Sequence, residues 1–76
     1  MNKTKPVEVP YVVLDWKKER YVLVIDPNLA KKQDFEWVEE ARATEFADSA
    51  DAFEAWKRLK KVGVSNLRVA PTGWKH

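Results

Sequence analysis

The segment at residues 48–63 constrains the fold most, because it carries start, face and stop signals for one helix. Asp48 or Ser49 can cap its start, and Gly63 supplies the left-handed residue that ends many helices. Its apolar stripe recurs at helical spacing and comprises Ala52, Phe53, Trp56 and Leu59, with Val62 at the border. The pattern predicts an amphipathic helix that covers a sheet, with Trp56 as its central core residue.

The same helix ends in the basic run "KRLKK" at residues 57–61, a run that also suits nucleic acid or a membrane surface. Positive side chains near a helix C-terminus complement its dipole, and Glu54 lies one turn before Arg58. Lys60 lies one turn after Trp56 and can lay its methylene stem along the ring. A membrane-bound stripe would leave the sheet uncovered. We therefore interpret the helix as mainly structural.

Two segments rich in β-branched and aromatic residues flank a short charged connection, "KKE". They are "YVVLDW" at residues 11–16 and "RYVLVID" at residues 20–26. Two such segments around a short polar connection predict a β-hairpin. Because the turn contains no glycine, we expect a loop longer than a tight two-residue turn.

The segment "FEWVEEARATEF" at residues 35–46 is ambiguous. Its Glu, Ala and Arg content favours a helix, whereas its alternation of apolar and polar residues allows a strand. We favour a strand, most strongly over residues 42–46. A short final strand is predicted at residues 66–71, "NLRVAP".

These elements predict an α+β fold: a three- to four-stranded, mainly antiparallel sheet with one helix packed on one face, in the order β-β-β-α-β. With 76 residues, the chain is expected to form a single domain over residues 1–76. Its ordered core is predicted at residues 7–70, with flexible tails at residues 1–6 and 72–76.

The composition argues against most enzyme chemistry. The chain has no cysteine, which excludes disulfides and thiolate metal sites and fits a reducing, cytoplasmic location. His76 is the one histidine, and glycine occurs only at positions 63 and 73, so no phosphate-binding glycine loop exists. Asp15 and Asp26 are a candidate carboxylate pair, but we favour them as polar residues at strand ends. We predict no enzymatic activity, no cofactor, no metal and no membrane association.

The charge is unevenly distributed along the chain. Residues 1–33 carry a net charge of +3, residues 34–54 carry −7, and residues 55–76 carry +6. An acidic segment of this kind can dock a basic protein surface, so a protein partner is predicted. The candidate protein-binding residues are Glu36, Glu39, Glu40, Glu45 and Asp48.

The alternative function is single-stranded nucleic-acid binding by the hairpin, where aromatic residues are interleaved with bases. The candidate residues are Trp16, Lys17, Lys18, Arg20 and Tyr21, joined by Tyr11 and, if the last strand adjoins them, Arg68. The competing interpretation is a solvated turn, with Trp16 and one tyrosine in the core.

Between Trp37 and Trp56, the sequence "WVEEARATEFADSADAFEAW" resembles small phage and prophage proteins, most of them uncharacterised. Those proteins carry a Trp, then Ala-x-x-Phe, then Ser or Asp, then an Ala-containing helix. The matching positions are Trp37, Ala43, Phe46, Ser49 and Ala52. Some small anti-CRISPR proteins have a similar strand-then-helix segment. The resemblance covers 20 of the 76 residues and implies a strand–turn–helix unit and a mobile-element origin, without supplying a functional residue.

Overall fold

The computed structural model describes residues 9–74 and contains a four-stranded antiparallel sheet with one α-helix. The elements are β1 (Tyr11–Asp15), β2 (Arg20–Val24), β3 (Phe35–Val38), α1 (Ser49–Val62) and β4 (Leu67–Pro71). The strands are arranged in the order β3-β2-β1-β4 across the sheet. This architecture confirms the predicted α+β class.

β1 and β2 form the predicted hairpin, and residues 16–19 make its turn. Glu19 adopts the left-handed conformation that the turn needs, with φ of 54°. The Asp15 carboxylate accepts hydrogen bonds from the backbone N–H groups of Lys17 at 2.9 Å and Lys18 at 3.2 Å. An aspartate side chain that binds the next backbone amides stabilises a turn without glycine. The longer loop is therefore confirmed.

β1 and β2 pair beside this turn and are separated farther along by residues 43–46. Thr44 bonds to β2: its N–H donates to the Val22 carbonyl at 3.0 Å, and its hydroxyl accepts from the Val24 N–H at 2.7 Å. Phe46 and Tyr11 of β1 exchange two backbone hydrogen bonds of 2.8 Å. The inserted segment thus satisfies strand edges that would otherwise lack partners.

The third strand lies earlier than the sequence analysis placed it. It comprises Phe35–Val38 and pairs with β2, whereas Glu40–Arg42 forms a turn of 3₁₀ helix. Within the expected strand at residues 42–46, Phe46 makes an isolated bridge to Tyr11. The prediction of a strand over residues 42–46 is therefore wrong, because the turn breaks the alternation and redirects the chain between β1 and β2.

α1 has the predicted ends. The Asp48 carboxylate caps the helix by accepting from the Ala50 N–H at 2.9 Å. Gly63 is left-handed, with φ of 104°, and its N–H donates to the Lys60 carbonyl at 3.0 Å. The Val64 N–H donates to the Leu59 carbonyl at 3.1 Å. These two bonds form a Schellman ending, and Gly63 ends the helix as predicted.

The main core lies between α1 and the sheet. Ala52, Ala55 and Leu59 are the buried residues of the helix, and they pack on Val13, Val22, Leu29 and Phe35. Phe53, by contrast, is 49% exposed. Trp56 is only half-buried. The prediction of Trp56 as central core residue is therefore wrong, because alanines rather than aromatic residues face the sheet.

The opposite face of the sheet carries a second buried cluster, covered by Ala43 and Trp74. The Gly73 N–H donates to the Glu40 carboxylate at 3.0 Å. The Trp74 indole N–H donates to the hydroxyl of buried Tyr21, also at 3.0 Å. The cluster comprises Val12, Leu14, Tyr21, Val38 and Ala70.

These contacts correct the predicted tail at residues 72–76, because Thr72, Gly73 and Trp74 are all bonded to the folded chain. The predicted tail at residues 1–6, and the last two residues, lie outside the described part of the chain. Among residues 9–74, no helix has the length and apolar character needed to cross a membrane.

Candidate functional site

An aromatic pair, exposed Phe53 and half-buried Trp56, lies on the side of α1 that borders β4. The rings of Phe53 and Trp56 meet edge to face, with centroids 5.8 Å apart and planes at 78°. The Lys60 ammonium lies 4.7 Å from the centroid of the Trp56 ring, as its spacing of one turn predicted. With half of the Phe53 side chain in solvent, this pair is a candidate contact for another molecule.

β4 is the last strand on its side of the sheet. The residues just before and just after β4 form hydrogen bonds on the β1 side. The Asn66 carbonyl accepts from the Trp16 N–H, and the Thr72 N–H donates to the Pro10 carbonyl. The N–H and carbonyl groups of an antiparallel strand alternate in direction from one residue to the next. The backbone polar groups of residues 67, 69 and 71 therefore point away from β1. The outer edge of β4 is therefore formed by these three residues.

The aromatic pair and the strand edge are joined by one hydrogen bond. The Trp56 indole N–H donates to the outward carbonyl of Leu67 at 3.2 Å. Trp56, Lys60 and Leu67 line an open groove of about 260 Å³ there. We call Phe53, Trp56, Leu67 and Val69 the β4-edge surface.

The surroundings of the β4-edge surface are basic. Residues 55–74 contain five bases and no acid: Lys57, Arg58, Lys60, Lys61 and Arg68. Arg58 and Lys61 are directed elsewhere. The Arg58 Nε lies 3.8 Å from the Glu54 carboxylate and its Nη1 donates to the Pro27 carbonyl, and Lys61 lines a groove with residues 28–30. Lys57, Lys60 and Arg68 are exposed, so this surface favours a negatively charged partner.

The hairpin candidates only partly come together. Trp16 is 49% exposed and lines an open groove with Leu67 and Arg68. Lys17 and Lys18 beside it are exposed. Arg68 therefore joins the hairpin, and the interpretation that placed Trp16 in the core is wrong.

Three of the hairpin candidates, Tyr21, Arg20 and Tyr11, make other contacts within the fold. Tyr21 is 3% exposed, which removes it from the predicted nucleic-acid surface. The guanidinium of Arg20 lies over the Trp37 ring, 5.2 Å from its centroid. Tyr11 is half-buried against the main core at the other end of β1. The basic aromatic surface therefore reduces to Trp16, Lys17, Lys18 and Arg68.

The acidic candidates divide into two groups. Glu36 and Glu39 are exposed along and just after β3, where Glu40 accepts the hydrogen bond from Gly73. Glu45 is exposed near the start of α1, where Asp48 serves as the helix cap. Two of the five carboxylates thus have structural partners, and the other three, Glu36, Glu39 and Glu45, remain candidates for a basic partner.

Asp34 and Asp26 have local roles. Asp34 is buried and accepts from the N–H groups of Ala30 at 2.8 Å and Lys31 at 3.2 Å. Asp26 accepts from the Asn28 N–H at 2.9 Å, at the end of the hairpin opposite Asp15. Asp15 and Asp26 therefore do not form a pair. Within residues 9–74, no three metal-ligating side chains are grouped.

The β4-edge surface was not predicted, because helical spacing places Phe53 and Trp56 in the same stripe as Ala52 and Leu59. The signal that identifies the surface is the set Ala52, Ala55 and Leu59, which also recurs at helical spacing and leaves Phe53 at the side.

No protein-family model matches the sequence, and comparisons with curated proteins and with solved structures gave no match.

Proposed function

We propose that this protein is a non-catalytic protein-binding module whose contact area is the β4-edge surface. The supporting observation is the exposed Phe53 ring, held against Trp56 beside a strand edge. Aromatic residues in such positions carry much of the binding free energy in protein interfaces. A half-exposed apolar ring is in unfavourable contact with water and adds little to the core. A partner that covers the ring would remove that unfavourable contact.

The resemblance around residues 37–56 supports a narrower form of this proposal. In that form, the chain is a phage-type accessory protein or an inhibitor of a host complex. The three exposed acids, Glu36, Glu39 and Glu45, provide a second contact area for basic parts of such a complex.

We expect Phe53→Ala to weaken partner binding by about tenfold or more while the protein stays folded, because the ring is a surface contact. The immobilised chain first captures partners from a lysate of its source cells, and mass spectrometry identifies them. Calorimetry with the purified partner then compares wild type and Phe53→Ala.

Ile25→Ala is the matched control, since Ile25 is an apolar side chain that is 55% exposed outside the β4-edge surface. It should leave affinity nearly unchanged. Glu45→Lys tests the acidic contact in the same assay. Equal affinities for Phe53→Ala and wild type would remove the β4-edge surface as the contact. Retention of nucleic acid alone, with no protein, would contradict the protein-binding function.

The second candidate function is single-stranded nucleic-acid binding through Trp16, Lys17, Lys18 and Arg68. It is supported by one observation: the half-exposed Trp16 ring lies beside two exposed lysines and shares a groove with Arg68. Bases of any sequence stack on such a ring while cations contact the phosphates.

For this candidate, we expect oligonucleotide affinity to fall steeply with salt, because bound phosphates release counterions. Lys17→Ala and Lys18→Ala should each reduce the logarithmic salt slope by roughly 0.7. Trp16→Ala should weaken binding by about 1–3 kcal/mol and leave the fold intact. Fluorescence titration of a labelled oligonucleotide at several salt concentrations measures both effects.

Lys57→Ala and Lys61→Ala are the controls, since both lysines are exposed on α1 and neither lines the groove of Trp16 and Arg68. Their salt slopes should equal that of wild type. If low-salt titration shows no binding at about 50 μM protein, nucleic-acid binding by this hairpin is excluded, since non-specific binding normally falls in or below that range.

A further inference from the structure

The outer edge of β4 offers backbone groups to an additional strand. By the alternation described above, the N–H groups of Leu67 and Val69 and the carbonyls of Val69 and Pro71 point outward. Within residues 9–74, no strand pairs with this edge. An extended peptide that adds here gains hydrogen bonds in both directions.

The same edge is limited in length at both ends. The outward Leu67 carbonyl already accepts from Trp56, and Pro71 has no N–H to donate. Features of this kind protect an edge strand from unlimited pairing with other chains. The free groups therefore fit a short segment of a few residues better than continuous aggregation of sheets.

The side chains around the edge define what such a segment must carry. Leu67 and Val69 belong to the helix-facing side of β4, so alternate side chains of an added strand would lie beside Phe53 and Trp56. Those positions favour apolar residues. The intervening side chains would lie on the opposite side of the sheet, near exposed Arg68.

The charge near the edge selects for acids. Lys57 and Lys60 are exposed on α1, Arg68 is exposed on β4, and residues 55–74 contain no acid to oppose a carboxylate. An acidic segment is therefore complementary on both sides of the strand, whereas a basic segment is repelled.

We infer that β4 binds an acidic, extended segment of a partner protein as a fifth strand, with the segment's apolar residues packed on Phe53 and Trp56. This inference rests on the proposed protein-binding function and specifies its partner. A nucleic acid is also negatively charged, but its phosphodiester backbone has acceptors only. The alternating donors and acceptors of residues 67–71 match a peptide backbone.

The test is NMR titration of the ¹⁵N-labelled full chain with a capped seven-residue peptide, Glu-Val-Glu-Leu-Glu-Val-Glu. We expect saturable shifts of the Leu67 and Val69 amides and of the Trp56 indole N–H. Arg68→Ala should weaken binding by up to about fivefold, the usual range for an exposed ion pair, because the glutamates of this peptide lie on the Arg68 side of the sheet. Lys32→Ala, an exposed base before β3, is the matched control and should have no effect.

Two N-methylated forms of the peptide test the backbone pairing directly. Only alternate residues of an added strand turn their N–H groups towards β4, so methylation of one alternate set should abolish binding and methylation of the other should not. Equal binding of the two forms overturns the inference. Equal binding of a peptide with Lys in place of Glu also overturns it.

A thymidine heptanucleotide in the same titration distinguishes nucleic acid from peptide. Shifts of the β4-edge surface with this oligonucleotide, and none with the peptide, overturn the inference in favour of nucleic acid. If the peptide fails but Phe53→Ala still loses the cellular protein partner, the protein-binding function stands and the fifth strand is wrong. If both fail, both proposals are wrong.

Discussion

Replacing Leu59 with alanine is expected to lower the free energy of unfolding by about 2–5 kcal/mol. Leu59 is fully buried between α1 and the sheet, in the main core. A domain of this size has a total stability of about 5–10 kcal/mol, so the loss is a large part of it. Urea denaturation followed by circular dichroism measures the change.

Phe53→Ala is the matched control, because it removes a larger apolar side chain from the same helix. Since half of that ring is exposed, the substitution should cost no more than about 1 kcal/mol. The helical stripe deduced from the sequence, with Phe53 and Trp56 inward, requires a large cost at Phe53. Equal costs at Leu59 and Phe53 would show that α1 is rotated relative to the structure.

Tyr21→Ala is expected to destabilise the protein by about 3–5 kcal/mol, the range for removing a buried aromatic side chain. Tyr21 is 3% exposed in the second cluster and accepts a hydrogen bond from the Trp74 indole through its hydroxyl. Loss of the ring leaves a cavity and removes the hydroxyl that accepts from the Trp74 indole N–H. Thermal and urea denaturation should both show the loss.

Tyr21→Phe separates the two contributions, since it keeps the ring and removes only the hydroxyl. We expect it to cost about 0.5–1.5 kcal/mol, the net value of one hydrogen bond. A Tyr21→Ala protein that stays as stable as wild type but loses oligonucleotide binding would return Tyr21 to the nucleic-acid surface. A structural residue should instead show the stability loss with or without nucleic acid.

Local signals in the sequence were sufficient for the fold class, the hairpin and the ends of α1. The Asp48 cap and the ending at Gly63 depend on residues within one helical turn, so their chemistry can be read from neighbours in the sequence. The hairpin turn is similar, because the Asp15 carboxylate binds amides only two and three residues away. The last strand was also predicted from local sequence, at residues 66–71, and the structure has it at Leu67–Pro71.

The third strand shows where local signals end. Residues 35–46 contain a compatible alternation throughout, but the hydrogen bonds of Thr44 and Phe46 go to β2 and β1, far away in sequence. Which part of the segment pairs with β2, and which part separates β1 from β2, depends on the width of the gap between those strands. That width is a property of the assembled sheet.

The burial of Tyr21 and Trp74 was decided in the same way. The sequence placed Tyr21 with the bases of the hairpin and Trp74 in a tail, because no neighbouring residue indicates that they meet. Their hydrogen bond joins residues 53 positions apart. Only the return of the chain after β4 across the second face of the sheet brings them together.

By itself, the sequence determined that one capped amphipathic helix covers a small antiparallel sheet, and that Lys17 and Lys18 lie at a turn. The tertiary structure decided which part of the helix faces inward. A stripe of period 3.6 residues fits Ala52, Phe53 and Trp56 or Ala52, Ala55 and Leu59 almost equally well. Small alanines let the helix approach the sheet closely, which places Phe53 and Trp56 at the edge of β4. The candidate site exists because of that packing, and helical periodicity alone does not specify it.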